Sequence, residues 1–151
     1  MNKTTACLAS LLFLGVSLGV PPALAAPKDD AIALVTKAVA HVKDAGKDKA
    51  LADFNDPKGS FVKGDLYVFA YTLQGVILAH PMNPKLIGKD MTEVKDSDGK
   101  LFTKDFIATV NGSGKGWVDY NWTNPTSKKI EAKSSYVAKA GDMFVGCGSY
   151  K

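Results

Sequence analysis

The sequence contains no arginine. All 19 of its cationic residues are lysine, against 15 acidic residues and a net charge of +4. The lysines are scattered among Asp and Glu, and the only basic block is Lys128-Lys129. A dedicated nucleic-acid surface clusters charge and uses arginine forks, so that function class is excluded. Any anion held in a pocket must be met by lysine, histidine, hydroxyls or backbone amides. Cysteine and histidine are equally scarce, with Cys7, Cys147, His41 and His80 the full set. No paired-His metal motif, nucleophile elbow or Cys-x-x-Cys-His haem attachment is possible with this set and order. The Asn111–Gly116 run lacks the Gly-Lys-Ser/Thr ending of a phosphate loop. Asp96-Ser97-Asp98-Gly99 begins like a calcium loop, but no glutamate stands at its twelfth position. No catalytic set, metal site or cofactor is expected.

Long apolar runs are confined to the N-terminus. Lys3 is followed by an apolar stretch from Leu8 to Val20 and then by Ala23-Leu24-Ala25. This is the pattern of a secretory signal peptide cleaved after Ala25, with an uncleaved anchor as the alternative. The only early cysteine, Cys7, precedes the apolar core, which argues against a lipoprotein. The expected product is one exported domain, residues 26–151, periplasmic or secreted. Cys147 is then unpaired, and its setting in Phe144–Gly148 marks it as a small core residue.

What the mature chain does contain is a change of period. From Asp29 to Ala45, Ile32, Val35, Val39 and Val42 recur at helical steps, with Asp29 and Asp30 in the first turn and Gly46 to end the helix. Asp48 is placed as the cap of a second short helix reaching Phe54. His41 lies beside the apolar stripe and reads as structural. Leu66 to Thr72 then alternates as a strand, with Tyr67, Phe69 and Tyr71 on one side and Leu66, Val68 and Ala70 on the other. Leu73-Gln74-Gly75 turns it into a second strand, Val76 to His80, which Pro81 and Pro84 end. Phe102, Phe106 and Val110 predict a helix over Leu101–Val110, followed by a flexible Asn111–Gly116 connection. Strands are predicted over Trp117–Trp122, Ile130–Ala138 and Met143–Tyr150. The class is α+β: a long N-terminal helix with a five-stranded antiparallel sheet.

Polar groups with aromatic bodies are spread over those strands. Tyr67, Tyr71, His80, Tyr120, Trp122, Lys133 and Tyr136 can all project from them. Aromatic walls with a few convergent donors make a small-ligand site. Lys133 can supply a positive charge, and His80 and a tyrosine hydroxyl directional bonds, a set suited to a small carboxylate. For each aromatic the core reading stands beside the ligand reading, and Lys133 can equally be solvated.

These features together resemble the second class of single Cache domains, which are PAS-like extracytoplasmic sensor modules. The matching text is Tyr67-Val68-Phe69, Gly75–Pro81 and Pro84–Lys89. It continues through Asp96-x-Asp98-Gly99-Lys100 and Gly116–Tyr120 with Trp122 and Pro125. It closes with Lys133-x-x-Tyr136-Val137 and Gly146-x-Gly148-x-Tyr150. The resemblance implies a long helix beside a curved sheet, with a ligand cavity between sheet and connecting loops. It implies pocket residues at His80, Trp122, Lys133 and Tyr136, with Tyr67 and Tyr120 beside them. Such domains sit outside the membrane in chemoreceptors and sensor kinases and bind small molecules, often short carboxylates. The related double Cache domains hold amino acids with an arginine beside a tryptophan, and this chain has no arginine.

The expected protein is thus a non-enzymatic, stand-alone sensory domain. It would bind a short-chain carboxylate and act through a membrane sensor kinase, chemoreceptor or transporter, with a homodimer through the N-terminal helix as a further expectation. The competing reading is a ligand-free interaction module whose aromatics are core. A third, an enzyme, finds no nucleophile–base pair.

Overall fold

Helix α1 (Pro27–Ala45) forms where an apolar stripe meets well-placed end charges. Asp29 and Asp30 lie in its first turn, Lys43 in its last, and Ala31, Val35 and Ala38 on its buried side. Gly46 ends it at φ +85°, its N–H donating to the Val42 carbonyl at 3.2 Å. The same glycine caps helix α2 (Lys47–Phe54), which has no side-chain cap. Asp48 is therefore not the cap placed there from sequence. It sits in the first turn, where a carboxylate still meets the positive helix end. His41 joins the helices through a 2.7 Å contact of Nε2 with the Asp53 carboxylate. This computed structural model describes residues 27–151. The expected signal peptide lies outside the described residues, among which no helix is long and apolar enough to cross a membrane.

The expected strand over Leu66–Thr72 is divided at Val68. Strands β1 (Val62–Lys63) and β2 (Leu66–Tyr67) form a two-stranded ribbon of their own, turning at Gly64 with φ +64°. The Val68 N–H donates to the Phe61 carbonyl at 3.0 Å, so at this point the chain is still paired with the ribbon side. Strand β3 (Phe69–Thr72) then enters the main sheet. Strand β4 (Ile77–Ala79), a 3-10 turn at Pro84–Leu86 and helix α3 (Phe102–Gly112) follow. Strands β5 (Lys115–Thr123), β6 (Ile130–Ala140) and β7 (Met143–Tyr150) complete the chain. The connection read as flexible from Asn111 is shorter than expected, because α3 runs to Gly112 and β5 begins at Lys115.

The sheet is antiparallel with order β4-β3-β7-β6-β5. Alternation sends its residues to two separate cores. On one face α1 and α2 pack against Leu66, Val68, Ala70, Met143, Val145 and Cys147. On the other, α3 and the segment after β4 cover Tyr67, Phe69, Tyr71, Val118, Tyr120, Val137 and Phe144. The alternation of Tyr67, Phe69 and Tyr71 against Leu66, Val68 and Ala70 is as read from the sequence. The aromatic face needs room, and β7 provides it with Gly146 and Gly148. A Cβ at Gly146 would strike the Phe69 ring, and one at Gly148 would lie 2.9 Å from Lys133 Cε and closer still to Ser135 Oγ. The Gly146-x-Gly148 spacing is thus a close-approach requirement of the second face.

Candidate ligand site

At the end of β4 the chain reaches His80, whose backbone N–H and ring Nδ1 both have partners. The His80 N–H donates to Asn55 Oδ1 at 3.0 Å, tying the strand end to the C-terminus of α2. The Asn83 N–H donates to His80 Nδ1 at 3.0 Å. With Nδ1 acting as acceptor, a neutral ring carries its proton on Nε2. The ring is 4% exposed. Burial, then the nearby Lys133 charge, pushes its pKa from 6.5 down to about 4. His80 is therefore neutral at pH 7 and offers Nε2–H as a donor.

A cavity of about 310 Å³ opens beside this ring. It is lined by Tyr67, His80, Met82, Asn83, Trp122, Thr123, Pro125 and Lys128. The elements that supply them are β2, the loop after β4, the end of β5 and the β5–β6 loop. Aromatic contacts fix the walls: the Tyr67 and His80 rings are 5.1 Å apart, and His80 and Trp122 6.2 Å. Trp122 in turn meets Phe102 edge-on at 5.4 Å.

Lys133 stands one ring back. Its side chain is 1% exposed, and Nζ has no hydrogen-bond partner among the described residues. The ammonium lies 4.0 Å from the centre of the Tyr67 ring, 4.8 Å from Tyr150 and 5.8 Å from Phe69. Cation–π attraction offsets part of the desolvation cost but does not satisfy three N–H donors. Burial accordingly pulls its pKa from 10.5 down to about 7. Burial also raises the hydroxyl pKa values of Tyr67 and Tyr120 well above the usual phenol range. The solvated reading of Lys133 left open by the sequence does not hold.

The residues singled out from sequence therefore divide into three groups. Tyr67, His80 and Trp122 share the cavity wall, and Lys133 adjoins it through Tyr67. Tyr120 is on the same face but deeper, stacked on Phe102 at 4.7 Å, with its hydroxyl 3.0 Å from Ser135 Oγ. Tyr136 is on the other face. It packs against Trp117 at 5.3 Å, beside Val35 and Val39 of α1. It lies three positions from Lys133, and in a strand an odd offset sends a side chain to the opposite side. Placing Tyr136 in the same pocket is thus corrected by strand periodicity. Lys128 was missed as a lining residue, although Lys128-Lys129 stood out as the one basic block.

Other features are already engaged. The Asp96 carboxylate accepts the Asp98 and Lys100 N–H groups on Oδ1 and the Asn121 N–H on Oδ2. That makes it a turn-builder holding the β5 edge. A wider groove of about 560 Å³ lies between Lys28, Lys100, Asp105, Trp117, Asp119 and Ser134. Lys100 is paired with Asp105 and Asp119 with Lys151, both at 3.2 Å, and Lys28 lies 5.0 Å from the centre of the Trp117 ring. Cys147 is fully buried, and burial pushes its thiol up to about 12, which makes it inert.

The helix-flanked five-stranded antiparallel sheet on which this cavity sits agrees with what the family comparison finds. The model of Single Cache domain 2 matches residues 28–151. This chain belongs to that family. The Cache domain is 31% identical over 88 residues to the methyl-accepting chemotaxis protein McpP of Pseudomonas putida. That match covers 57% of this chain and 16% of McpP, so the chain spans only a small part of that receptor. A solved periplasmic sensor domain of a chemotaxis protein is 30% identical, with a TM-score of 0.66 over 81% of this chain and 88% of the other. A second solved structure is described as the basis for carboxylic acid recognition by a Cache chemosensory domain. It is 28% identical, with a TM-score of 0.64 over 78% of this chain and 84% of that one. The domain is a Cache sensory module of the kind carried by chemotaxis receptors.

Proposed function

We propose that this Cache domain binds a short-chain carboxylate in the Tyr67–His80–Trp122 cavity and reports its presence to a partner. The observation that carries the reading is the buried Lys133 ammonium, which has no hydrogen-bond partner among the described residues. A buried charge of this kind is costly unless an anion meets it. A carboxylate is small enough for the cavity and accepts a charge-assisted bond from His80 Nε2–H, while the Lys133 ammonium behind the Tyr67 ring attracts it at short range and meets it directly once that ring moves aside. The rings exclude water from these contacts. The solved neighbour described for carboxylic acid recognition supports the same ligand class.

The route outward runs through Asn55, which bonds the His80 N–H and so connects the cavity wall to α2, while His41–Asp53 connects α2 to α1. A shift at His80 on binding would reach α1, the surface through which a homodimer or a membrane sensor kinase, chemoreceptor or transporter would read it. Export by cleavage of residues 1–25 and a periplasmic location belong to the same proposal. No enzymatic step is assigned to the domain.

A thermal-shift and calorimetry panel of short carboxylates tests the reading. At least one acid should raise Tm, and Lys133→Ala should remove that response. If no acid stabilises the protein, the ligand class is wrong. If an acid binds but Lys133→Ala binds it equally, the site is wrong. Light scattering with and without that acid tests the dimer.

A further inference from the structure

We propose that Lys128 is a specificity-determining residue of the cavity, drawing in simple carboxylates and turning away α-amino acids. This rests on the carboxylate reading above. Lys128 is the only lysine among the residues that line the cavity, and it is exposed. Lys133, the deep cation, is not on the lining at all. Lys128 therefore holds the position where an incoming anion first meets positive charge.

Its backbone is the second observation. Lys128 has φ +62°, and it is the only non-glycine residue with positive φ among the described residues. A lysine there is strained, where glycine would sit without cost and asparagine with less. The surrounding turn enforces the conformation. Asn124 Oδ1 accepts the Thr126 N–H at 2.8 Å, and the Asn124 carbonyl accepts the Lys128 N–H at 2.9 Å. The Asn124 N–H donates to the Lys129 carbonyl at 2.8 Å. Glu131, three positions along the chain, is occupied by Asn124 Nδ2 at 2.8 Å and by the Ser127 hydroxyl. No ion pair involves Lys128 among the described residues. The loop thus fixes an unpaired lysine at the cavity edge and keeps its own carboxylate busy elsewhere.

Two cations, one at the edge and one behind Tyr67, set the chemistry that enters. A carboxylate is favoured on approach and at the bottom. An α-ammonium group is opposed by both lysines and finds no carboxylate among the lining residues. The edge charge is solvated, so its effect falls mainly on association and weakens with salt.

The test uses propionate, lactate and L-alanine, three-carbon carboxylates that differ at C2 in hydrogen, hydroxyl and ammonium. Lys128→Gly suits the +62° backbone and should leave Tm unchanged or higher. It should weaken propionate or lactate binding about three- to tenfold, mostly in the association rate, and flatten its salt dependence. It should also narrow the gap between lactate and L-alanine. Lys128→Asn should behave the same way, Lys128→Arg should retain binding, and Lys129→Gln should change nothing. Unchanged affinity in both Lys128→Gly and Lys128→Asn would overturn the assignment while leaving the carboxylate reading intact. Wild-type protein that binds none of the three would overturn the assignment, and failure of the broader acid panel would remove the reading beneath it.

Discussion

The two faces of the sheet use the same strands in opposite ways. Between α1 and the sheet lie Val35, Ala38, Val68, Ala70, Met143, Val145 and Cys147, an apolar core with no buried charged side chain among the described residues. Facing α3 are rings, and among them a neutral histidine, a buried ammonium and the Tyr120–Ser135 pair. On the first face each buried side chain lowers the free energy of the fold. On the second, the buried Lys133 ammonium raises it, offset only in part by cation–π contacts and without a hydrogen-bond partner among the described residues. The apolar face and the face that carries the proposed ligand site are therefore separated by the alternation of single residues along β6 and β7, not by distance.

Perturbing each side separately tests that division. Met143→Ala on the α1 face should cost about 2–5 kcal/mol in urea unfolding, with acid affinity of the folded protein unchanged. A large affinity loss would show that the faces are coupled. Lys133→Met on the other face should do the reverse. It should stabilise the ligand-free protein by about 1–4 kcal/mol while abolishing acid binding, and a destabilised variant would mean that the ammonium is satisfied after all.

The pH dependence sharpens the same contrast. Lys133 has a folded pKa of about 7 against 10.5. Between those values the unfolded chain holds a proton that the folded one has lost, so unliganded stability should rise with pH from about 7 to 10.5. Acid affinity should move oppositely, falling about tenfold per pH unit above 7 as the ammonium is lost, and Lys133→Met should remove the stability trend. His80 has a folded pKa of about 4 against 6.5. The unfolded chain takes up its proton first, so stability should fall as pH drops from 6.5 toward 4. His80→Asn, which can keep an acceptor for the Asn83 N–H, should flatten that slope, and an unaltered slope would place the titrating group elsewhere. The smallest effect is expected at the surface. Lys47→Ala breaks the 2.6 Å pair with Asp142 but should change stability by only about 0.5 kcal/mol and leave binding untouched.

Much of this division could be read in the residues. The period-two pattern of Leu66–Tyr71 named both faces correctly, and His80 was legible because two prolines end its strand. Tyr136 shows where that legibility stopped. Its motif neighbour Lys133 lies three residues away, and treating the motif as one pocket ignored the alternation that separates them. The division of the long strand at Val68 was invisible because Phe61, the partner that pulls it aside, precedes it in a segment without a strand signature. Lys128 was noticed as charge but not as lining, since nothing local says that the β5–β6 turn closes over the end of β4.

The sequence by itself determined the class of fold, the helix and strand order and the absence of arginine, because periodicity, turn residues and composition are local properties. It also supplied Lys133 and the two glycines of β7 without saying why they belong together. Only the tertiary structure decided that Gly148 makes room for the Lys133 stem, that the ammonium ends among three rings, and that Lys128 stands at the cavity edge. Those facts depend on strand register and on a loop crossing from a distant strand, which no local pattern encodes.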